Sequence, residues 1–305
     1  MNFQELTLRW IDEKRMTVKP TTLTYYQYLT EHHLVPLLGQ KESLSKPDIA
    51  AMAEYCDQRN YCRNTVSGIY SVLKMIVGYG VELGWCDNIT ITMSTPHQSA
   101  KDSLDILSVK EESVLIEHLA NRRELLDLGI LLGLTSGLRI GEVCGLKVGD
   151  INFKKRFCRI CRTASLSYDS KLRCTNLVVG TPKTIASRRE VPLHASVAKA
   201  ICANTKQDPD NYILTGSHYP LNSNQLRTHL ARTLRQLHLP SVRFHALRHT
   251  FATRCIESGC DVKTLSSILG HSSVQVTLNL YVHPTMQQKE NCLNRMMEYL
   301  QAYII

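Results

Sequence analysis

No stretch of this 305-residue chain is apolar for long enough to span a membrane. The longest such run, Leu125 to Leu134, carries Asp127 and falls far short of the ~20 residues that a transmembrane helix needs. The opening segment, MNFQELTLRW, lacks the apolar core of an export signal. A cytoplasmic protein is the expectation. A second close cysteine pair is missing too. Eleven cysteines are scattered along the chain, and the one close pair, Cys158 and Cys161, lies in an alternating FCRICR segment that reads as a strand. A structural zinc site needs four ligands at finger-like spacing. No metal and no disulfide are therefore expected, and the cysteines read as reduced thiols, several of them filling the core. Internal repeats and low-complexity tracts are absent.

Acidic residues are the scarcer charge, 27 against 36 Lys plus Arg, for a net charge of +9 and a pI near 9.0. Residues 1–100 hold 9 basic and 10 acidic residues, so the whole excess lies in residues 101–305. Residues 151–190 hold ten of those cations (Lys154, Lys155, Arg156, Arg159, Arg162, Lys171, Arg173, Lys183, Arg188, Arg189) against Asp169 and Glu190. A single charge is usually a solvated one. An excess of this density repels itself and favours a polyanionic partner.

Apolar spacing divides the chain. Phe3, Leu6 and Trp10 share a helical face. Leu23, Tyr26, Leu34 and Leu37 mark a second helix, opened by Thr21 and stopped at Gly39, and Ser45 with Asp48 makes a capping box for a third. Val66, Ile69, Tyr70, Leu73, Ile76 and Val77 give the fourth, ending near Gly84. The polar stretch from Asn88 to Lys101 reads as a linker. A second pattern opens with the Ser108–Glu111 capping box. It has helices at about 109–120, 123–135 and 139–146, then a β region from Ile151 to about Leu193. Helices return at Asn224–Leu237, His245–Ser258 and Val262–Leu269, and a last apolar period lies near the C-terminus. The expected organisation is a helical domain over 1–95, a linker over 96–105 and a mixed domain over 106–305. Its terminal helix, about 290–304, carries Leu293, Met296, Met297, Leu300 and Ile304 on one stripe.

Three clusters in the second part carry chemistry: Gly137-Leu138-Arg139-Ile140-Gly141-Glu142, His245-Ala246-Leu247-Arg248-His249, and Leu269-Gly270-His271 followed ten residues later by Tyr281. Thr181-Pro182-Lys183-Thr184 and Ser187-Arg188-Arg189-Glu190-Val191-Pro192-Leu193 lie between the first two. In this order they resemble the tyrosine recombinase (phage integrase) family, with its motifs GLRxGE, TPK, HxLRHTFAT and LGH…Y. The likeness covers about residues 105–285, and the His271-to-Tyr281 spacing is closest to integrases of phages and conjugative elements. It implies a mainly helical α+β fold. That fold joins a four-helix, SAM-like core-site DNA-binding domain to a mixed α/β catalytic domain with a small β-sheet.

The resemblance implies Tyr281 as the nucleophile, Arg139, Lys183, His245, Arg248 and His271 as activating residues, and Glu142 as a supporting acid. Lys154, Lys155, Arg188, Arg189 and Arg243 are the candidate DNA-contacting cations. The chemistry suits these residue types. Attack on a phosphodiester builds negative charge on its oxygens, and two planar guanidiniums can clamp them bidentately. Imidazoles near neutrality can donate to phosphate oxygens or shuttle a proton. A tyrosine oxygen can store the bond energy in a covalent ester, so no cofactor is needed. Lys183 is the candidate acid for the leaving 5′ oxygen. The implied reaction is site-specific recombination of double-stranded DNA through a 3′-phosphotyrosine and a Holliday junction, for integration, excision or inversion of a mobile element. The implied partners are paired core half-sites, a homotetramer on that DNA and an accessory directionality factor, with no membrane. Three alternatives stay open here: relaxation of DNA in the manner of a type IB topoisomerase, DNA bending by a regulator that does not cut, and, more distant, a structural or redox role for the cysteines.

Overall fold

The computed structural model describes residues 1–93, 106–120, 124–169, 174–182, 185–205, 208–281 and 286–301. The expected linker over 96–105 and Ile304 of the terminal stripe lie outside the described residues. By its packing the chain forms two units, Met1–Asp102 with Leu166–Asn176, and Ser103–Ser165 with Leu177–Ile305.

The first unit is helical over its N-terminal part. Helix α1 (Phe3–Thr17) starts on a capping box in which Asn2 Oδ1 accepts from the Glu5 N–H and Glu5 accepts from the Asn2 N–H. This satisfies two of the amides that a helix start leaves unpaired. Helix α2 (Pro20–Leu29) runs through a π-helical turn, Thr30–Leu34, into α3 (Val35–Leu38). Helix α4 (Lys46–Gln58) opens on the expected Ser45–Asp48 box, and α5 (Arg63–Glu82) completes the unit's helices. The α5 side chains at 66, 69, 70, 73, 76 and 77 are buried, as their spacing requires, against Leu6, Trp10, Leu29 and Leu34. The π turn was not legible from the spacing. It carries His33 into the interior at 5% exposure, with ring centroids of Tyr28, Tyr55 and Tyr61 at 5.7, 6.5 and 5.0 Å.

The second unit is built around one apolar helix. After α6 (Val109–Ala120), α7 (Leu125–Ser136) is buried along almost its whole length, as a helix without a polar face must be. It packs against α6, α8 (Ile140–Cys144), α9 (Ala195–Asn204), α10 (Ser223–Gln236) and α11 (Phe244–Glu257). Between α8 and α9 lie β1 (Ile151–Asn152), β2 (Phe157–Ile160), β3 (Thr163–Asp169), β4 (Cys174–Gly180) and β5 (Arg189–Pro192). β2 pairs antiparallel with both β1 and β5, and β3 pairs with β4 in a separate two-stranded sheet. Helices α12 (Val262–Leu269), α13 (Val274–Tyr281) and α14 (Met286–Gln301) follow. The result is the mainly helical α+β architecture expected from sequence. Helices α9 and α13 are additions to that expectation, and α14 begins four residues before the expected start at 290. Both short helices lack the long apolar period that betrays a helix in a sequence. Among the described residues no helix is long and apolar enough to cross a membrane.

Candidate active site

Gly137 ends α7 in the left-handed conformation, φ 63°. A Cβ there would lie 2.5 Å from Cδ1 of Phe251 on α11, so the turn into α8 and its approach to α11 both need glycine. The turn delivers Arg139 to the N-cap of α8. The Arg139 N–H donates to Glu142 Oε2 at 3.0 Å, and its guanidinium donates to Oε1 at 2.9 Å. Glu142 itself is 3% exposed. Burial pushes its carboxyl pKa up, but the hydrogen bonds and charge of Arg189, then those of Arg139, outweigh that and hold it below the usual range. Glu142 is a buried carboxylate between two guanidiniums.

Helix α11 contributes from the other side. Arg248, 1% exposed, donates to the Gly137 carbonyl at 2.7 Å and the Leu269 carbonyl at 2.8 Å. Arg139 reaches the Leu269 and Gly270 carbonyls at 3.3 and 3.2 Å, and Arg189 Nε donates to the Ile268 carbonyl. Three guanidiniums thus meet three consecutive carbonyls where α12 ends. That end carries the negative pole of the helix and unsatisfied C=O groups, so it can gather cations that would otherwise repel. Arg139 keeps 36% of its side chain exposed, which leaves it accessible from solvent.

The histidines complete the cluster. Gly270, left-handed at φ 65°, closes α12 and leads into His271. His271 Nδ1 lies 2.8 Å from Oγ1 of Thr277 on α13. Desolvation, then the charges of Arg248, Arg139, Arg189 and His245, push the His271 pKa down to about 4, so the ring is neutral at physiological pH. His245 and His249 stand one turn apart on α11, rings edge-on with centroids 4.5 Å apart. His245 is exposed at the surface, but the protein atoms packed around it partly desolvate its ring. That desolvation, followed by the charges of His249, Arg248 and Arg139, also lowers its pKa.

The structure therefore brings together Arg139, Glu142, His245, Arg248 and His271, from segments up to 132 positions apart in the numbering. Tyr281 is the last residue of α13; its side chain and the whole of Lys183 lie outside the described residues. Among the candidate DNA-contacting cations, Lys154 and Lys155 are exposed in the β1–β2 turn, and Arg188 and Arg243 are exposed before β5 and α11. Arg189 is a correction. Its side chain is 6% exposed, and its NH1 and NH2 each donate to Glu142 at 3.0 Å, while NH1 also reaches the Ser187 carbonyl at 3.1 Å. Its hydrogen bonds run to Glu142, Ser187 and Ile268, which makes it a buried support of Glu142 rather than an exposed cation. Thr277 is the residue that the sequence motifs did not flag.

One further group of the described residues brings metal-ligand donors together: Glu124, Asp127 and His229, whose donor atoms lie within 4.8 Å of one another. His229 Nε2 pairs with Asp127 Oδ1 at 2.7 Å, and Arg232 lies 2.9 Å from His229 Nδ1 and 3.6 Å from Glu124. The Arg232 guanidinium sits against two members of the group, His229 and Glu124. The nine cysteines whose side chains are described are free thiols, and burial raises the pKa of Cys158 to about 12.

The profile of the Phage integrase family matches residues 105–288. A tyrosine recombinase XerC-like protein of Caldanaerobacter subterraneus subsp. tengcongensis is 29% identical across 96% of this chain and 83% of its own length. The transposase from transposon Tn916 of Enterococcus faecalis is 31% identical across 51% of this chain, and the match spans 42% of that transposase. Among solved structures, the Tn1549 transposon integrase in complex with transposon right end DNA superposes with a TM-score of 0.78 at 22% identity, covering 97% of this chain and 100% of that one. A lambda integrase tetramer bound to a Holliday junction gives a TM-score of 0.66 at 17% identity, covering 92% and 78%. The likenesses to these solved structures are of fold.

Proposed function

The chain belongs to the phage integrase family, the tyrosine site-specific recombinases, and on that premise we propose that it cuts and rejoins double-stranded DNA of a mobile element through Tyr281. The Tyr281 hydroxyl releases its proton to solvent as its oxygen attacks the scissile phosphorus and forms a 3′-phosphotyrosine. The bond to the 5′ oxygen breaks, and that oxygen takes a proton from Lys183. A 5′ hydroxyl of the partner strand then reverses the step, passing the exchange through a Holliday junction. No bond energy is lost between the two transesterifications.

The observation that carries this reading is the convergence of Arg139 and Arg248 on the Leu269 carbonyl, beside a neutral His271. A phosphate oxygen entering there meets preorganised donors. Each donor of this kind is worth about 10²–10³ in rate. Glu142 holds Arg139 in place, and exposed Lys154, Lys155, Arg188 and Arg243 contact the DNA backbone. The first unit binds the core half-site, an accessory factor sets direction, and four copies assemble on paired half-sites through α14. The α14 stripe supports that assembly: Leu293, Met296, Met297 and Leu300 are 60, 48, 49 and 44% exposed in the single chain.

A nicked suicide duplex, built from inverted repeats flanking the gene, tests the reading. A protein–DNA adduct that survives denaturation is expected from the wild type and not from Tyr281→Phe, which should bind equally well. An undiminished adduct in that variant would overturn the assignment of Tyr281.

A further inference from the structure

Thr277 is fully buried, at 0% exposure, on the short helix whose last residue is Tyr281. One turn separates the two. Its hydroxyl lies 2.8 Å from His271 Nδ1, and water has no access to compete. A neutral imidazole offers one N–H and one lone pair, and the partner of one nitrogen decides which nitrogen carries the proton. Burial and the surrounding charges of Arg248, Arg139, Arg189 and His245 keep this ring neutral. A neutral ring can assist a phosphate oxygen through Nε2 only if the proton sits there. A hydroxyl rotates freely and can donate to Nδ1, which leaves the proton on Nε2.

We propose that Thr277 is a positioning residue: its O–H donates to His271 Nδ1 and so presents Nε2–H to the scissile phosphate. This rests on the recombinase reading of the site. Because Thr277 and Tyr281 share α13, the helix that brings the nucleophile also sets the donor. His271 is then held as an Nε2–H donor while α13 keeps Thr277 against it, so the donor and the nucleophile are set by the same helix.

Two measurements test this on the full-length protein. Long-range proton–nitrogen correlation spectra of the free protein report the His271 tautomer directly. The expected result is an Nε2–H ring in the wild type and a mixture in Thr277→Val, which keeps the β-branched shape without the hydroxyl. An Nδ1–H ring in the wild type would overturn the proposal whatever the kinetics show. Single-turnover cleavage of the nicked duplex at saturating protein is the second measurement. Thr277→Val should lose about 10-fold, the lower end of what a metal-bound histidine loses when its orienting partner is removed, with unchanged DNA affinity, and Thr277→Ser should recover most of the rate. Cleavage by Thr277→Val at the wild-type rate would also sink it. If Thr277→Val does not fold, the wild-type spectrum and the serine variant still decide the matter. A wild type that forms no adduct on the nicked duplex would instead remove the recombinase reading and leave the tautomer result standing.

Discussion

Arg189 lies bidentate on Glu142, with NH1 3.0 Å from Oε1 and NH2 3.0 Å from Oε2. Glu142 spends its remaining lone pairs on Arg139. One buried carboxylate therefore fixes the candidate phosphate clamp and ties it to β5. Without Arg189, two cations could still meet at the α12 carbonyls, but Glu142 would be left less than fully paired in a dry site.

Arg189→Met should accordingly act on stability before it acts on DNA affinity. Breaking a buried, hydrogen-bonded ion pair typically costs about 3–5 kcal/mol, and the pair here is 6% and 4% exposed. Urea unfolding of the second unit should shift by that order. Adding Glu142→Gln should recover part of the loss, since the uncompensated charge disappears with it. A variant of full stability with weakened DNA binding would return Arg189 to the surface role expected from the sequence.

Sequence order revealed most of this site and missed its inner layer. Gly137 before Arg139 and Gly270 before His271 are readable because a left-handed turn before a functional residue calls for glycine. Arg189 reads from the sequence as a surface cation because a run of cations says nothing of which one turns inward. The signal lay in the strand alternation: Arg189 shares a face with Val191, which is fully buried, while Arg188 and Glu190 point out. Thr277 escaped because α13 is eight residues long and its partner is fixed by tertiary packing. The π turn at Thr30–Leu34 escaped because a helical period looks the same on either side of one extra residue.

Gly137 and Gly84 separate two costs of losing a glycine. Both have positive φ, 63° and 67°, but a Cβ at Gly137 meets Phe251 at 2.5 Å and one at Gly84 meets nothing within 4 Å. Gly84→Ala should cost only the left-handed penalty, about 1–2 kcal/mol. Gly137→Ala adds overpacking worth about 1–3 kcal/mol and should displace Arg139 as well. Thermal unfolding of the two variants checks the ranking, and equal losses would refute the clash.

Acid should loosen the first unit through His33. Burial, then the charges of His32 and Arg59, lower its pKa below the ordinary value of 6.5. Below pH 6.5 the unfolded chain takes up the proton before the folded unit does, so stability falls as pH falls from there to the lowered folded value. Above that window His33 adds no slope. Urea midpoints for the first unit between pH 7.5 and 5 should show the decline, and His33→Phe should flatten it. An unchanged slope in that variant would assign the effect to other groups.

Salt dependence distinguishes exposed cations from buried ones. Lys154 and Lys155 are exposed in their turn, so replacing both with alanine should weaken DNA binding and reduce the log–log salt slope. The slope should change by roughly 0.9 for each phosphate that the variant no longer neutralises. Arg189→Met should leave that slope alone. Identical slopes in the lysine variant and the wild type would place the DNA elsewhere on the second unit.

The last helix bears on assembly. One described contact of α14 with its own unit is a charged side chain: a Cβ on Gly259 would lie 2.7 Å from Arg295 NH1. Its apolar stripe, Leu293, Met296, Met297 and Leu300, stays 44–60% exposed. Burying such side chains yields about 1.5–3 kcal/mol each when complete, from which the costs of association are subtracted. In the proposed assembly, a second copy of the chain on paired half-sites would recover this gain. Truncation after Gln288 should then leave a folded protein that binds one half-site with unchanged affinity. Cooperative occupation of the full site, read by gel shift as the ratio of doubly to singly bound DNA, should be lost, and synapsis with it. A truncated protein that fills the full site as cooperatively as the wild type would remove α14 from the interface. One that unfolds would show that Arg295 and its neighbours hold α14 to its own unit.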